Sequence, residues 1–239
     1  MQKLFLTFFT CLSLTTYSQS FVIDSSRYSG AVGAAVSAYH LSMDKESALY
    51  NGPEHIGYDP KMIGSAYFGS NDWQTGSVYY DGILYRNVPM KYDEVLDKVV
   101  VQHFNIIFKL ELFSDKVKWF DIAGHTFINI NSDSASTVKP GFYDLLASGN
   151  VTVLAKRTKI IAEFIEGNEV KRRIDEKDLY YAVKGNTYYT LSNKRSLLKV
   201  LNDRRKEVQQ YLRKNKIKFK RKSEYAIVKA VEYYNQSAH

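Results

Sequence analysis

Ten short runs of β-branched and aromatic residues, each closed by a turn signal, occupy the middle of this chain and constrain its fold more than any other feature. The runs are Ser77–Tyr80, Ile83–Val88, Lys98–Gln102, Ile106–Phe113, Val117–Ile122, Thr126–Ile130, Phe142–Leu146, Val151–Arg157, Leu179–Lys184 and Thr187–Leu191. Asp81-Gly82 is the clearest turn, because both residues accept the positive φ angles of a type I′ turn between right-twisted strands. Pairing across Gly185-Asn186 sets Val183 opposite Tyr188 and Tyr181 opposite Thr190 on one face, with Ala182 and Tyr189 on the other. Short successive connections of this kind predict an antiparallel meander. Thr158 to Glu166 fits either a helical stripe or a long strand.

From Asn193 onward the period changes. Leu197, Leu201, Val208 and Leu212 fall at helical spacing, as do Ile227, Val228, Val231 and Tyr234 after a capping Ser223. Strands followed by helices predict an α+β fold: a curved antiparallel β-meander of about 9–11 strands, then two or three C-terminal helices. The expected divisions are a signal peptide over residues 1–20, a loosely ordered lead-in over 21–60, the sheet over 61–192 and a basic helical region over 193–239 packed on the same domain. With 45% apolar residues in 239, the chain is long enough to build a core without disulfide staples.

The leader reading rests on Lys3, an apolar run from Leu4 to Leu14, and small residues at Ser18 and Ser20. Eleven residues are too few to span a bilayer, which takes about 20. Cys11 is the one cysteine and lies within that run, so a mature chain starting at Phe21 carries no disulfide, thiol nucleophile or cysteine-bound metal. No later stretch is apolar enough for a transmembrane helix. The expected location is therefore the periplasm or the outer membrane of a Gram-negative cell, where nucleic acid is not an expected partner.

Charge is unevenly placed. Thirteen basic residues lie between Lys194 and Lys222 against only Asp203 and Glu207, a local +11, so a chain of net +8 leaves −3 for the rest. The candidate contacts for an anionic surface are Arg204, Arg205, Lys206, Arg213, Lys214, Lys216, Lys218, Lys220, Arg221 and Lys222. Their partner would be an acidic envelope protein or anionic lipid headgroups. Against this stands the ordinary role of a charge run as a solvated helix face.

Motifs for catalysis are missing. There is no G-x-S-x-G elbow, phosphate-binding loop or H-E-x-x-H pair, and no cofactor is implied. His40, His55, His103, His125 and His239 suit turns or surfaces better than a metal. Asp93 and Asp97 would share a face if Tyr92–Asp97 were helical, and Ser114 with His125 is the nearest thing to a nucleophile and base. The 19 tyrosines include Tyr79, Tyr80, Tyr85, Tyr92, Tyr180, Tyr181, Tyr188 and Tyr189 in or beside strands, where each is either a good strand residue or a contact for sugar, peptide or lipid.

Gly76-Ser77-Val78-Tyr79-Tyr80-Asp81-Gly82, Tyr85-Arg86-Asn87-Val88-Pro89 and Tyr92-Asp93 resemble segments of a group of exported proteins of Bacteroidota with no assigned activity. The resemblance continues at Gly141-Phe142-Tyr143-Asp144-Leu145-Leu146, Val153-Leu154-Ala155-Lys156-Arg157 and Leu197-Leu198 to Tyr233-Tyr234-Asn235, and spans most of residues 45–235. It implies export and one continuous architecture, and no site residue. The expected function is that of a non-enzymatic envelope protein docking through its basic tail. The alternative is a periplasmic carrier holding a lipid or other apolar ligand inside a curved sheet; a hydrolase would need a concave site with two convergent titratable groups.

Overall fold

The computed structural model describes residues 48–103, 105, 107–131, 138–219 and 223–236. It is an α+β fold with a large open antiparallel sheet of ten strands, a separate two-stranded hairpin and three C-terminal helices. The strands are β1 (Gln74–Tyr80), β2 (Ile83–Asp93), β3 (Lys98–Gln102), β4 (Lys109–Glu111), β5 (Val117–Ile122), β6 (His125–Ile130), β7 (Gly141–Ala147), β8 (Val151–Lys156), β9 (Lys159–Glu166), β10 (Glu169–Glu176), β11 (Leu179–Lys184) and β12 (Thr187–Thr190). The helices are α1 (Lys194–Val200), α2 (Arg205–Lys214) and α3 (Glu224–Gln236), with one 3₁₀ turn at Asn202–Arg204 between the first two.

The large sheet is not one simple meander. Its order, β12-β11-β8-β7-β6-β5-β1-β2-β3-β4, places two meanders side by side: β5 pairs with β1 instead of following β4. A single 3₁₀ turn, Ser114–Lys116, makes this return, and the Asp81 N–H donates to the Lys116 carbonyl at 2.9 Å to hold it against the β1–β2 turn. That turn has φ of +50° at Asp81 and +81° at Gly82, the left-handed pair that its sequence requires.

One face of β1 to β7 converges on a single cluster that includes Val78, Tyr85, Met90, Phe120, Phe127 and Phe142, which requires the sheet to curl around it. The bend is built where β2 is bulged, Arg86 and Asn87 lying opposite the single residue Ser77 of β1, and Asn87 takes a φ of +56°. The segment expected to be a loose lead-in is described only from Ala48. From there to Pro60 it is tied down: Leu49 is fully buried in the cluster, the Glu111 N–H donates to the Pro53 carbonyl at 2.9 Å, and His55 is buried against Tyr67, Asp93 and Glu111.

A second cluster joins Val151, Val153 and Ala155 of β8 and Tyr180 and Ala182 of β11 to the helices through Leu197, Val208, Leu212, Ile227 and Val231. The helical periods therefore mark the face that covers the second half of the sheet. Thr158 to Glu166 resolves as strand: Lys159–Glu166 pairs along its whole length with Glu169–Glu176, a charge-rich run with no strand pattern of its own. Leader residues 1–20 lie outside the described residues, and no helix among those described is long and apolar enough to cross a membrane.

Candidate functional site

The predicted basic surface is assembled on α2 and the segment after it. Amphipathic spacing turns Val208 and Leu212 into the second core cluster and leaves Arg205, Lys206, Arg213 and Lys214 exposed. The chain then reverses at Lys216, φ +53°, and runs on with Lys216 and Lys218 exposed. None of these six side chains bonds a carboxylate among the described residues. Arg204 differs: it is half-buried, and its guanidinium donates to Glu207 Oε2 at 2.5 and 3.1 Å. Lys220, Arg221 and Lys222 lie outside the described residues.

The opposite face of β7, β8 and β11 carries a feature that sequence reasoning missed. Leu145 pairs with Leu154, Leu154 with Tyr181, and Lys156 with Leu179, so these side chains share the face turned away from the helices. Over Tyr143, Lys156, Leu179 and Tyr181 lies an open groove of about 940 Å³, walled by Lys139-Pro140 on one side and by the foot of the β9–β10 hairpin at Thr158, Ile160 and Glu176 on the other. The Tyr143 and Tyr181 rings meet edge to face, with centroids 5.9 Å apart.

One ion pair lies at the groove's polar end. Lys156 Nζ donates to Asp97 Oδ2 at 2.5 Å and to the Phe142 carbonyl at 3.0 Å, and sits 5.1 Å from the centre of the Tyr143 ring. Asp97 also accepts from the Tyr92 hydroxyl at 2.7 Å. Burial pulls the Lys156 ammonium below the ordinary lysine range against the pull of Asp97. Burial likewise pushes the Tyr143 and Tyr181 phenols above theirs, so both stay protonated donors at neutral pH. The backbone is shaped for the pair: Asp97 is held at φ +56°, and a Cβ on Gly141, φ +132°, would lie 2.0 Å from Asp97 Oδ2 and 2.6 Å from Lys156 Nζ.

The other sequence candidates are structural. Tyr92–Asp97 is a strand end and a turn, not a helix, and its two acids face different partners: Asp93 is buried, taking the Tyr58 hydroxyl at 2.7 Å and the Val95 and Leu96 N–H groups at 2.9 Å. Ser114 accepts from Lys98 at 3.2 Å, while His125 binds Asp144 through Nδ1 at 2.9 Å; no hydrogen bond joins Ser114 to His125 among the described residues. His103 bonds Asn105 on the surface, whereas His55 is buried; His40 and His239 lie outside the described residues. Among the described residues no group of three or more His, Cys, Asp and Glu is placed to hold a metal ion.

The alternating motifs Gly141-Phe142-Tyr143-Asp144 and Leu154-Ala155-Lys156-Arg157 thus serve both faces at once. Tyr143 and Lys156 enter the groove; Asp144 and Arg157 enter a buried ionic cluster under the helices. No protein-family model, curated protein or solved structure matches the chain.

Proposed function

We propose that the protein is an exported, non-enzymatic envelope protein that docks on an anionic headgroup surface through α2 and the segment following it. The observation that carries this reading is the set of six exposed cations, Arg205, Lys206, Arg213, Lys214, Lys216 and Lys218, with no carboxylate bonded to any of them among the described residues. A face that serves only solvation commonly mixes both signs. None of the six lines the groove described above, so they form a surface patch suited to an extended anionic layer rather than to one shaped ligand. The apolar side of α2 is occupied by the protein's own core, which leaves electrostatics as the means of attachment. At about 1 kcal/mol for each cation near such a surface, six supply roughly 6 kcal/mol, on the order of 10⁴ in affinity.

The carrier alternative has less support. Tyr85, Met90, Tyr92, Phe120, Phe127 and Phe142 fill the inside of the curl, each with 0% exposure.

Vesicle co-sedimentation tests the docking reading, with phosphatidylglycerol-containing and pure phosphatidylcholine vesicles compared in low salt and in about 0.5 M salt, where the Debye length falls to a few Å. Binding is expected only to the anionic vesicles, only in low salt, and not for the variant with all six residues changed to glutamine. Salt-insensitive binding, or none to anionic vesicles, overturns the reading; capture by polyglutamate without vesicle binding would replace it with an acidic protein partner.

A further inference from the structure

The groove on the free sheet face has the size and composition of a ligand site, and nothing in the docking reading uses it. About 940 Å³ lies within the range that encloses small ligands. Its lining combines an aromatic floor with a polar end whose ion pair is already held in place. We infer that the groove between β7–β8–β11 and the foot of the β9–β10 hairpin binds an uncharged oligosaccharide, with Tyr181, braced edge to face by the buried Tyr143, beneath a sugar ring and Asp97 and Lys156 bridging adjacent hydroxyls.

Three features select this chemistry. First, charge: Lys139, Lys156 and Lys177 face Asp97, Glu176 and Asp178 around the lining, so neither an anion nor a cation meets a complementary field. Second, the Asp97–Lys156 pair offers an acceptor and a donor side by side, the arrangement that two neighbouring hydroxyls satisfy, since each hydroxyl both donates and accepts. An acyl chain laid over the pair would strip its water and return no hydrogen bond, which costs free energy. Third, tyrosine presents a flat apolar body with a polar tip, matching a sugar's C–H face and hydroxyl rim. The Tyr181 hydroxyl has no hydrogen-bond partner among the described residues.

The polar end is preorganised. Asp97 keeps its carboxylate in position through a left-handed backbone, the Tyr92 hydroxyl and Lys156, and the missing side chain at Gly141 leaves the space the pair occupies. Left-handed backbone at a non-glycine residue is a form of strain found at ligand sites. Rigid groups of this kind lose little freedom on binding, which favours affinity.

The test is an NMR-detected titration of the purified protein with cellotetraose, maltotetraose, xylotetraose and chitotetraose, with dodecanoic acid as the apolar comparison. At least one tetraose is expected to bind with a Kd below about 1 mM, a free energy of roughly −4 kcal/mol. Tyr181→Ala and Lys156→Met should each raise that Kd at least about tenfold, a loss of ~1.4 kcal/mol. Tyr189→Ala, on the other face of the same strand pair, should leave it unchanged. Thermal melts of each variant separate lost binding from lost folding, and two groove variants keep the test open should one fail to fold. Binding of dodecanoic acid but no tetraose, binding of nothing, or a tetraose signal indifferent to both groove variants overturns the inference. None of these outcomes bears on vesicle binding by α2, so the two readings fail separately.

Discussion

Arg157 places two of its N–H groups on a single oxygen of Asp144: Nη2 at 2.6 Å and Nε at 3.0 Å both donate to Oδ2, while Oδ1 of that carboxylate is buried and accepts no hydrogen bond among the described residues. The remaining guanidinium nitrogen, Nη1, reaches Asp178 at 2.6 Å and Glu224 at 2.7 Å. One cation thereby connects β7, the turn before β11 and the first turn of α3. That is the junction between the curled half of the sheet and the half covered by helices.

Replacing Arg157 with methionine keeps most of the apolar stem but takes the guanidinium from a fully buried carboxylate and leaves it His125 Nδ1 alone. Loss of one partner from a buried pair costs about 3–5 kcal/mol, because the remaining charge keeps its desolvation penalty. Urea denaturation of Arg157→Met should show a loss of that size, and the double variant Arg157→Met/Asp144→Asn should recover part of it. Equal stabilities for the single and double variants would show that Asp144 does not carry the penalty.

The same cluster sets an acid dependence. Burial pushes Glu224 up, but the Arg157 guanidinium and the Tyr180 hydroxyl outweigh it and hold the carboxyl below its ordinary range. A folded-state value below the unfolded one means stability that is present above pH 4.5, the ordinary glutamate value, and is lost as pH falls through the lower folded value. Asp144 runs the other way: burial raises it despite Arg157 and His125, so its ionised form weighs against folding as pH rises from 3.8 through the raised value. Between pH 7 and 3, Glu224→Gln should flatten the acid limb of the stability curve. Parallel curves for the variant and the natural chain would remove Glu224 as its source.

Parts of this arrangement are legible in the sequence, and the reasons differ from place to place. The β11–β12 register is readable because the two-residue turn Gly185-Asn186 admits one alignment, and the structure has Val183 opposite Tyr188 and Tyr181 opposite Thr190. Glu169–Glu176 is unreadable as a strand because neither side of the projecting hairpin is deeply covered: Ile165 and Val170, paired across its tip, are 77% and 67% exposed, so no alternation is imposed. The crossing from β4 to β5 depends on how the sheet curls, which no local pattern encodes. The basic face is visible as composition, yet the sequence does not separate Arg204, tied to Glu207, from its free neighbours. The groove escapes because Lys156 and Tyr143 look like ordinary strand residues until three strands and the turn at Asp97 meet.

The helical region begins with a reciprocal cap. The Asn193 side chain accepts from the Ser196 N–H at 3.0 Å, and Ser196 Oγ accepts from the Asn193 N–H at 3.2 Å. Removing such a cap costs ~1 kcal/mol. Asn193→Ala should lose about that much in urea denaturation, and Asn193→Asp, which keeps the acceptor, much less. Equal losses in the two variants would mean that the side-chain oxygen is not what caps α1.

Two glycines separate backbone strain from steric exclusion. Gly185 lies in the β11–β12 turn at φ +61° with open space where a Cβ would stand, so Gly185→Ala carries only the left-handed penalty of roughly 1–2 kcal/mol. Gly76 has no left-handed φ, yet a Cβ there would lie 2.0 Å from the Asp121 carbonyl oxygen and 3.1 Å from Met90 Sδ. The carbonyl belongs to the paired strand β5 and cannot swing away as a side chain would, so relief requires β1 and β5 to part at the bulge where the sheet bends. Overpacking of this kind costs about 1–3 kcal/mol even where side chains adjust, and a backbone contact adjusts less. Gly76→Ala should therefore destabilise more than Gly185→Ala, and amide exchange should speed up across β1 and β5 in the first variant alone. If Gly76→Ala is the milder change, β1 and β5 do not approach that closely at Gly76.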